Sequence, residues 1–277
     1  MDFSSTDLAF ALLLTVIAGL STGIGSAIAY FIKKPKMIYL SFSLGLSAGV
    51  MIYVSFAELL VLAVENVGED WAVLSFFVGI LFIGVIDFLV PEADNPHELK
   101  GLPEKEGDAL PITEDMIPGT GSEADRKALM RTGMFTALAI GIHNFPEGLA
   151  TFATALENPG LGVFIAFAIA IHNIPEGISA SMPIYYATGD RKLAFKYSFL
   201  SGVAEPVGAV LGFLILLPFL DSYPGLLDGL LAFVAGIMIY ISLDELLPMA
   251  HRYGHNHTVI LGVVTGMFIM AVSLLML

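Results

Sequence analysis

Apolar stretches approaching or passing ~20 residues recur along the whole chain, from ALLLTVIAGL near its start to ILGVVTGMFIMAVSLLML at its end. A run of that length crosses the bilayer hydrocarbon as a helix, whereas a buried core helix needs only ~10–14 apolar residues. Lipid offers no hydrogen bonds, so each spanning segment must satisfy its own backbone groups, and repeated spans dictate an all-α class. Composition agrees. The chain is 56% hydrophobic and 14% charged over 277 residues, with a mean hydropathy of +0.82; a soluble domain is about 25% charged. The chain therefore reads as an all-α integral membrane protein forming one transmembrane domain over residues 1–277. The absence of cysteine excludes disulfides, thiolate ligands and sulfur redox chemistry, so any metal site must be built from histidine, carboxylate and amide oxygen. Asp2 and Asp7 precede the first apolar segment without a basic residue. It thus lacks a signal peptide's positive n-region and is expected to be retained as a span.

Eight spans are predicted, over 8–32, 38–64, 71–90, 132–156, 161–186, 193–220, 226–250 and 258–277. The connections are short except for 91–131, a polar stretch rich in Pro, Gly and acids that reads as a flexible acidic cytoplasmic loop. Ser122-Glu123-Ala124-Asp125 can cap a short helix leading into the fourth span. All 12 Lys and Arg fall between spans one and two, three and four, five and six, or seven and eight, which is one side of an eight-span chain. The positive-inside rule then places both termini outside the cytoplasm of the cell's inner membrane. A repeat supports the count. AGVMIYVSFAELL (48–60) matches AGIMIYISLDELL (235–247) at nine of 13 positions, and the same offset carries Gly79 to Gly266. A slightly smaller one carries Gly19 and Gly25 to Gly202 and Gly208. Spans one to three thus resemble spans six to eight. An odd shift of five spans makes the triplets an inverted repeat around a central pair, spans four and five, as in secondary transporters.

That pair carries HNFPEG (143–148) and HNIPEG (172–177). On a helix Glu147 lies about 40° past His143 and about 60° short of Asn144, so one carboxylate can serve both neighbours. His172, Asn173 and Glu176 repeat the geometry. Together the copies offer two imidazoles, two amide carbonyls and two carboxylates, a set suited to Zn²⁺, Fe²⁺ or Mn²⁺ rather than soft Cu⁺. Pro146 and Pro175 each delete a backbone donor, which is expected to loosen the helix at the site. Buried carboxylates are expensive in lipid and mark ion pathways.

Paired HN-PEG motifs in such a chain, with the flanking HNFPEGLATFATAL, HNIPEGISASMPIYYATG and YISLDELLPMAH, resemble the ZIP family of divalent metal transporters, most of all a bacterial branch of it. The resemblance implies a binuclear centre. His143, Glu147, His172 and Glu176 would form one site; Asn144, Glu147, Asn173, Glu176 and Glu205 (in SGVAEPVG) would form the adjacent one. It further implies a homodimer in the bilayer, an elevator-like movement of the central helices, and import of Zn²⁺, Fe²⁺, Mn²⁺, Co²⁺ or Cd²⁺ as substrate. Where such proteins often carry a histidine-rich loop between spans three and four, this chain has only His97 among ten acids.

Glu58, Asp244 and Glu245 are candidate pathway residues, Glu58 toward the outside and Glu245 toward the cytoplasm. His251, His255 and His257 either receive released metal or form a solvated loop. Neither a catalytic cofactor nor a nucleic-acid partner is expected, and the absence of GxxxxGK[ST] removes ATP as an energy source within the chain. Two alternatives remain open. One is an intramembrane zinc metalloenzyme, disfavoured by the lack of HExxH and by a duplicated site; a non-enzyme is expected. The other is an exporter or channel using the same ligands.

Overall fold

The computed structural model describes residues 3–31, 37–89, 117–120, 122–220, 222–223, 225–252 and 256–275. His97, His255, the five lysines at 33, 34, 36, 100 and 105, and the whole acidic 91–116 stretch lie outside them. Among the described residues the long elements are all helices: α1 (Ser5–Phe31), α2 (Met37–Val67), α3 (Glu69–Leu89), α4 (Glu123–Glu157), α5 (Pro159–Thr188), α6 (Arg191–Phe219), α7 (Leu226–His251) and α8 (Asn256–Leu274). Seven are long and apolar enough to cross a membrane. The other is α4, whose middle carries His143, Asn144, Pro146 and Glu147.

Local chemistry sets the boundaries. Between α4 and α5, Asn158 accepts from Leu161 N and Pro159 takes the first helical position, where its missing donor costs nothing. Helix α5 ends at Gly189, whose φ of 71° is a left-handed cap that favours glycine. Asp190 then caps α6 through Lys192 N and Leu193 N. Helix α4 starts at Glu123, inside the 91–131 stretch read as loop, and Arg126 N donates to Ser122 O. Arg126 Nε also donates to Ala187 O (2.9 Å), tying the start of α4 to the end of α5.

The packing gives the central pair, α4 and α5, its neighbours. They pack with α1 and α6 into one bundle, while α2, α3, α7 and α8 form a second in which α2 lies on α8 and α3 on α7. The seam runs along α2–α5 and α4–α7. Each triplet is therefore divided: its first helix joins the central pair, and the other two build the second bundle.

Close approaches of glycine to backbone hold these contacts. A methyl on Gly49 would meet the Val263 carbonyl, and one on Gly236 the Phe76 carbonyl. The offset from 48 to 235 carries Gly49 to Gly236 and Phe76 to Val263. The same offset relates two π-helical turns, Ser55–Leu59 in α2 and Ser242–Leu246 in α7. The prolines, by contrast, leave their helices whole. Helix α4 runs unbroken through Pro146, α5 through Pro175 and α6 through Pro206. Neighbouring helices absorb the single lost hydrogen bond in each case, so the irregular backbone sits in α2 and α7 instead.

Candidate metal centre

The motif residues meet inside the first bundle. His143, Asn144, Glu147, His172, Asn173, Glu176 and Glu205 are all buried, none more than 1% exposed. Glycine sets their spacing. Gly148, directly after Glu147, lies against the Glu205 carbonyl, and Gly208 lies against the Phe145 carbonyl, so any side chain at either position would push α4 from α6.

The charged groups pair across helices. His143 Nε2 lies 3.1 Å from Glu176 Oε2, and His172 Nε2 lies 3.3 Å from Glu147 Oε2. Each histidine thus meets the glutamate of the other motif copy. Asn173 Nδ2 donates to Glu205 and, at 3.2 Å, to the Ala18 carbonyl; Asn144 Nδ2 donates to the Ser201 carbonyl at 3.1 Å. All seven residues are accordingly brought together. Among the described residues, however, no three His, Asp or Glu side chains form a ready cage for a metal ion; the carboxylates and imidazoles pair with one another instead.

The unsatisfied atoms show what the pocket lacks. Among the described residues ten buried side-chain polar atoms have no hydrogen-bond partner, and six belong to this cluster: His143 Nδ1, His172 Nδ1, Asn144 Oδ1, Asn173 Oδ1, Glu147 Oε1 and Glu205 Oε2. The four oxygens are acceptors. An imidazole donating its Nε2 proton to a carboxylate presents a lone pair at Nδ1. A buried acceptor left unpaired costs about 1–3 kcal/mol, so several together are chemically suited to a cation. The residues present fit a borderline divalent metal ion.

The pathway candidates divide. Glu245 is buried (4% exposed) within the π turn of α7, more enclosed than a place at the cytoplasmic end of its span suggests. Glu58 and Asp244 are half-buried, each within a π turn. His251 is exposed and donates through Nδ1 to the Leu247 carbonyl, and His257 is exposed; neither joins the cluster. Sequence reasoning missed Ser47. Its hydroxyl lies 3.4 Å from Glu176 Oε1 and 3.2 Å from the His172 carbonyl, leaving both Glu176 oxygens partnered. Its only mark in the sequence is its place just before the repeated AGVMIY.

The family described as "ZIP Zinc transporter" matches residues 8–274. The chain belongs to the ZIP family. Among ZIP relatives, the protein named "Zinc transporter ZupT" of Clostridium perfringens is 53% identical over 274 residues, covering 96% of this chain and 95% of the relative. The protein of the same name in Nitratidesulfovibrio vulgaris is 53% identical over 284 residues, covering 100% and 99%, and that of Streptococcus mutans 51% over 274, covering 96% and 97%. The ZIP match runs from within the first turn of α1 to the end of α8.

Proposed function

We propose that the protein is a secondary transporter that imports Zn²⁺ and related divalent cations (Fe²⁺, Mn²⁺, Co²⁺, Cd²⁺) into the cytoplasm by alternating access. The observation that carries this reading is the set of six polar atoms, four of them acceptor oxygens, buried without partners around two crossed His–Glu pairs. The ion takes the place of the crossed pairing. His143, Glu147, His172 and Glu176 hold one ion, and Asn144, Asn173 and Glu205 complete a second site that shares Glu147 and Glu176. Glu58 lines the way in, and Asp244 and Glu245 the way out. The names of the relatives support zinc as substrate.

Eight spans with both termini outside the cytoplasm complete the reading, α4 being the span that hosts the ligands. The paired glycine contacts and the two π turns at one offset support an inverted repeat. The two-bundle packing supports a carrier in which α1, α4, α5 and α6 move against α2, α3, α7 and α8, in a homodimer of the inner membrane. The enzyme reading is weaker because a hydrolytic zinc needs a base that is not itself a ligand, and every carboxylate in the cluster is taken as a ligand.

The experiment is zinc flux into proteoliposomes loaded with a zinc-sensitive dye. Saturable flux is expected; none at all would favour the enzyme, and flux linear in zinc concentration would favour the channel.

A further inference from the structure

Besides the metal centre, the described residues form a long cleft between the two bundles. It is an apolar groove of about 830 Å³ between α3 of the second bundle and α4 and α6 of the first, within the ~300–1,000 Å³ typical of ligand pockets. Along α4 its lining extends from Met134 to Pro146, about 18 Å at 1.5 Å per residue. That is close to one leaflet's share of a ~30 Å hydrocarbon core. One end is basic. Arg131 is exposed and lies over the Phe135 ring at 6.0 Å, and Phe135 lines the groove. Lys196, also exposed, sits one turn before the lining residue Leu200 on α6.

We infer that this groove binds a single anionic phospholipid, its acyl chain along α4 and its phosphate between Arg131 and Lys196. Apolar lining capped by cations between membrane helices is how anionic headgroups are recognised. A second copy of the chain suits the groove less well, because in a shared membrane it would bring the same two cations to the same depth. The lipid would wedge the seam between the bundles, behind the wall that carries Phe145 and Pro146. This inference stands apart from the transport reading, since its test involves no metal.

The probe is phosphatidylglycerol against phosphatidylethanolamine, added to the delipidated full chain and followed by native mass spectrometry. One phosphatidylglycerol per chain is expected, with roughly 30-fold weaker binding for the Arg131→Gln/Lys196→Gln pair. Leu138→Trp keeps both cations but fills the groove (Leu138 is 54% exposed) and should also lose the lipid. Equal binding of the two lipids, or unchanged binding in both variants, overturns the proposal. So does a disulfide between copies of Leu200→Cys, which is unambiguous in a chain without native cysteine.

Discussion

His143 pairs with Glu176 on the neighbouring helix, Nε2 to Oε2 at 3.1 Å, although Glu147 lies one turn along its own helix. The reciprocal pair, His172 with Glu147, is of the same kind. The motif is therefore duplicated because each copy supplies the partner of the other. It follows that His143→Ala and Glu176→Ala should be strongly non-additive for the stability of the metal-free protein, with a coupling in the ~0.5–3 kcal/mol range of contacting residues. His143→Ala and Glu147→Ala should couple less. A double-mutant cycle by thermal unfolding decides it, and equal couplings would refute the crossed arrangement.

Glu147→Ala is expected to reduce zinc flux by more than the ~10–100-fold that losing an outer-shell partner of a metal typically costs, with expression retained. Glu147 is fully buried and carries an unpartnered oxygen. Wild-type flux in this variant would remove Glu147 from the site.

Metal should stabilise the fold. Zinc at 100 times its dissociation constant adds ~2.7 kcal/mol to a protein that binds it only when folded. Thermal unfolding should shift upward with zinc and return with a chelator. In Glu147→Gln/Glu176→Gln the shift should vanish; a shift of undiminished size would place the binding elsewhere.

Two glycines of α4 should respond differently to the same change. A methyl on Gly148 meets the Glu205 carbonyl, whereas one on Gly141 meets Ser201 at an ordinary 3.8 Å. Gly148→Ala should destabilise by at least ~1–3 kcal/mol, the usual cost of overpacking, and weaken zinc binding by displacing Glu205. Gly141→Ala should be close to neutral. Comparable melting temperatures for the two variants would contradict the close α4–α6 packing.

The far end of α4 should sense pH. Glu157 is exposed at the helix end, yet partial desolvation by its surroundings, and next the Asp228 carboxylate on α7, push it from an ordinary 4.5 up to about 7, while Asn66 of α2 donates to Asp228 Oδ1 at 2.6 Å. Glu157 holds its proton to higher pH when folded, so its contribution is intact in acid, declines as pH rises from about 4.5, and is lost above about 7. Hydrogen exchange at the end of α4 should accelerate across that window. Glu157→Gln should flatten the profile, and an unchanged profile would assign the effect to another group.

Much of this was legible in the sequence because lipid imposes strict rules. Helix positions followed from apolar run length, and the buried polar cluster from residues that would otherwise be too costly to bury. The split of each triplet was not legible, since nothing in a span's hydropathy says which neighbour it packs on. Proline gave no boundary: both helices continue through Pro146 and Pro175, each with one backbone donor fewer. Ser47 was invisible because serines are common in these spans and a single hydroxyl leaves no periodic trace. Glu245 was placed by its distance along the span, whereas its burial depends on the winding of α7.

That winding has a practical consequence. A π turn inserts one residue into an α-helical ladder, so the helix beyond it is rotated by about 100° relative to an uninterrupted one. A helical wheel drawn straight through α2 or α7 therefore assigns the wrong face to everything after Leu59 or Leu246. Mutagenesis, cysteine labelling or redesign of these two helices has to be planned in two phases, with the reference angle reset at Ser55–Leu59 and again at Ser242–Leu246.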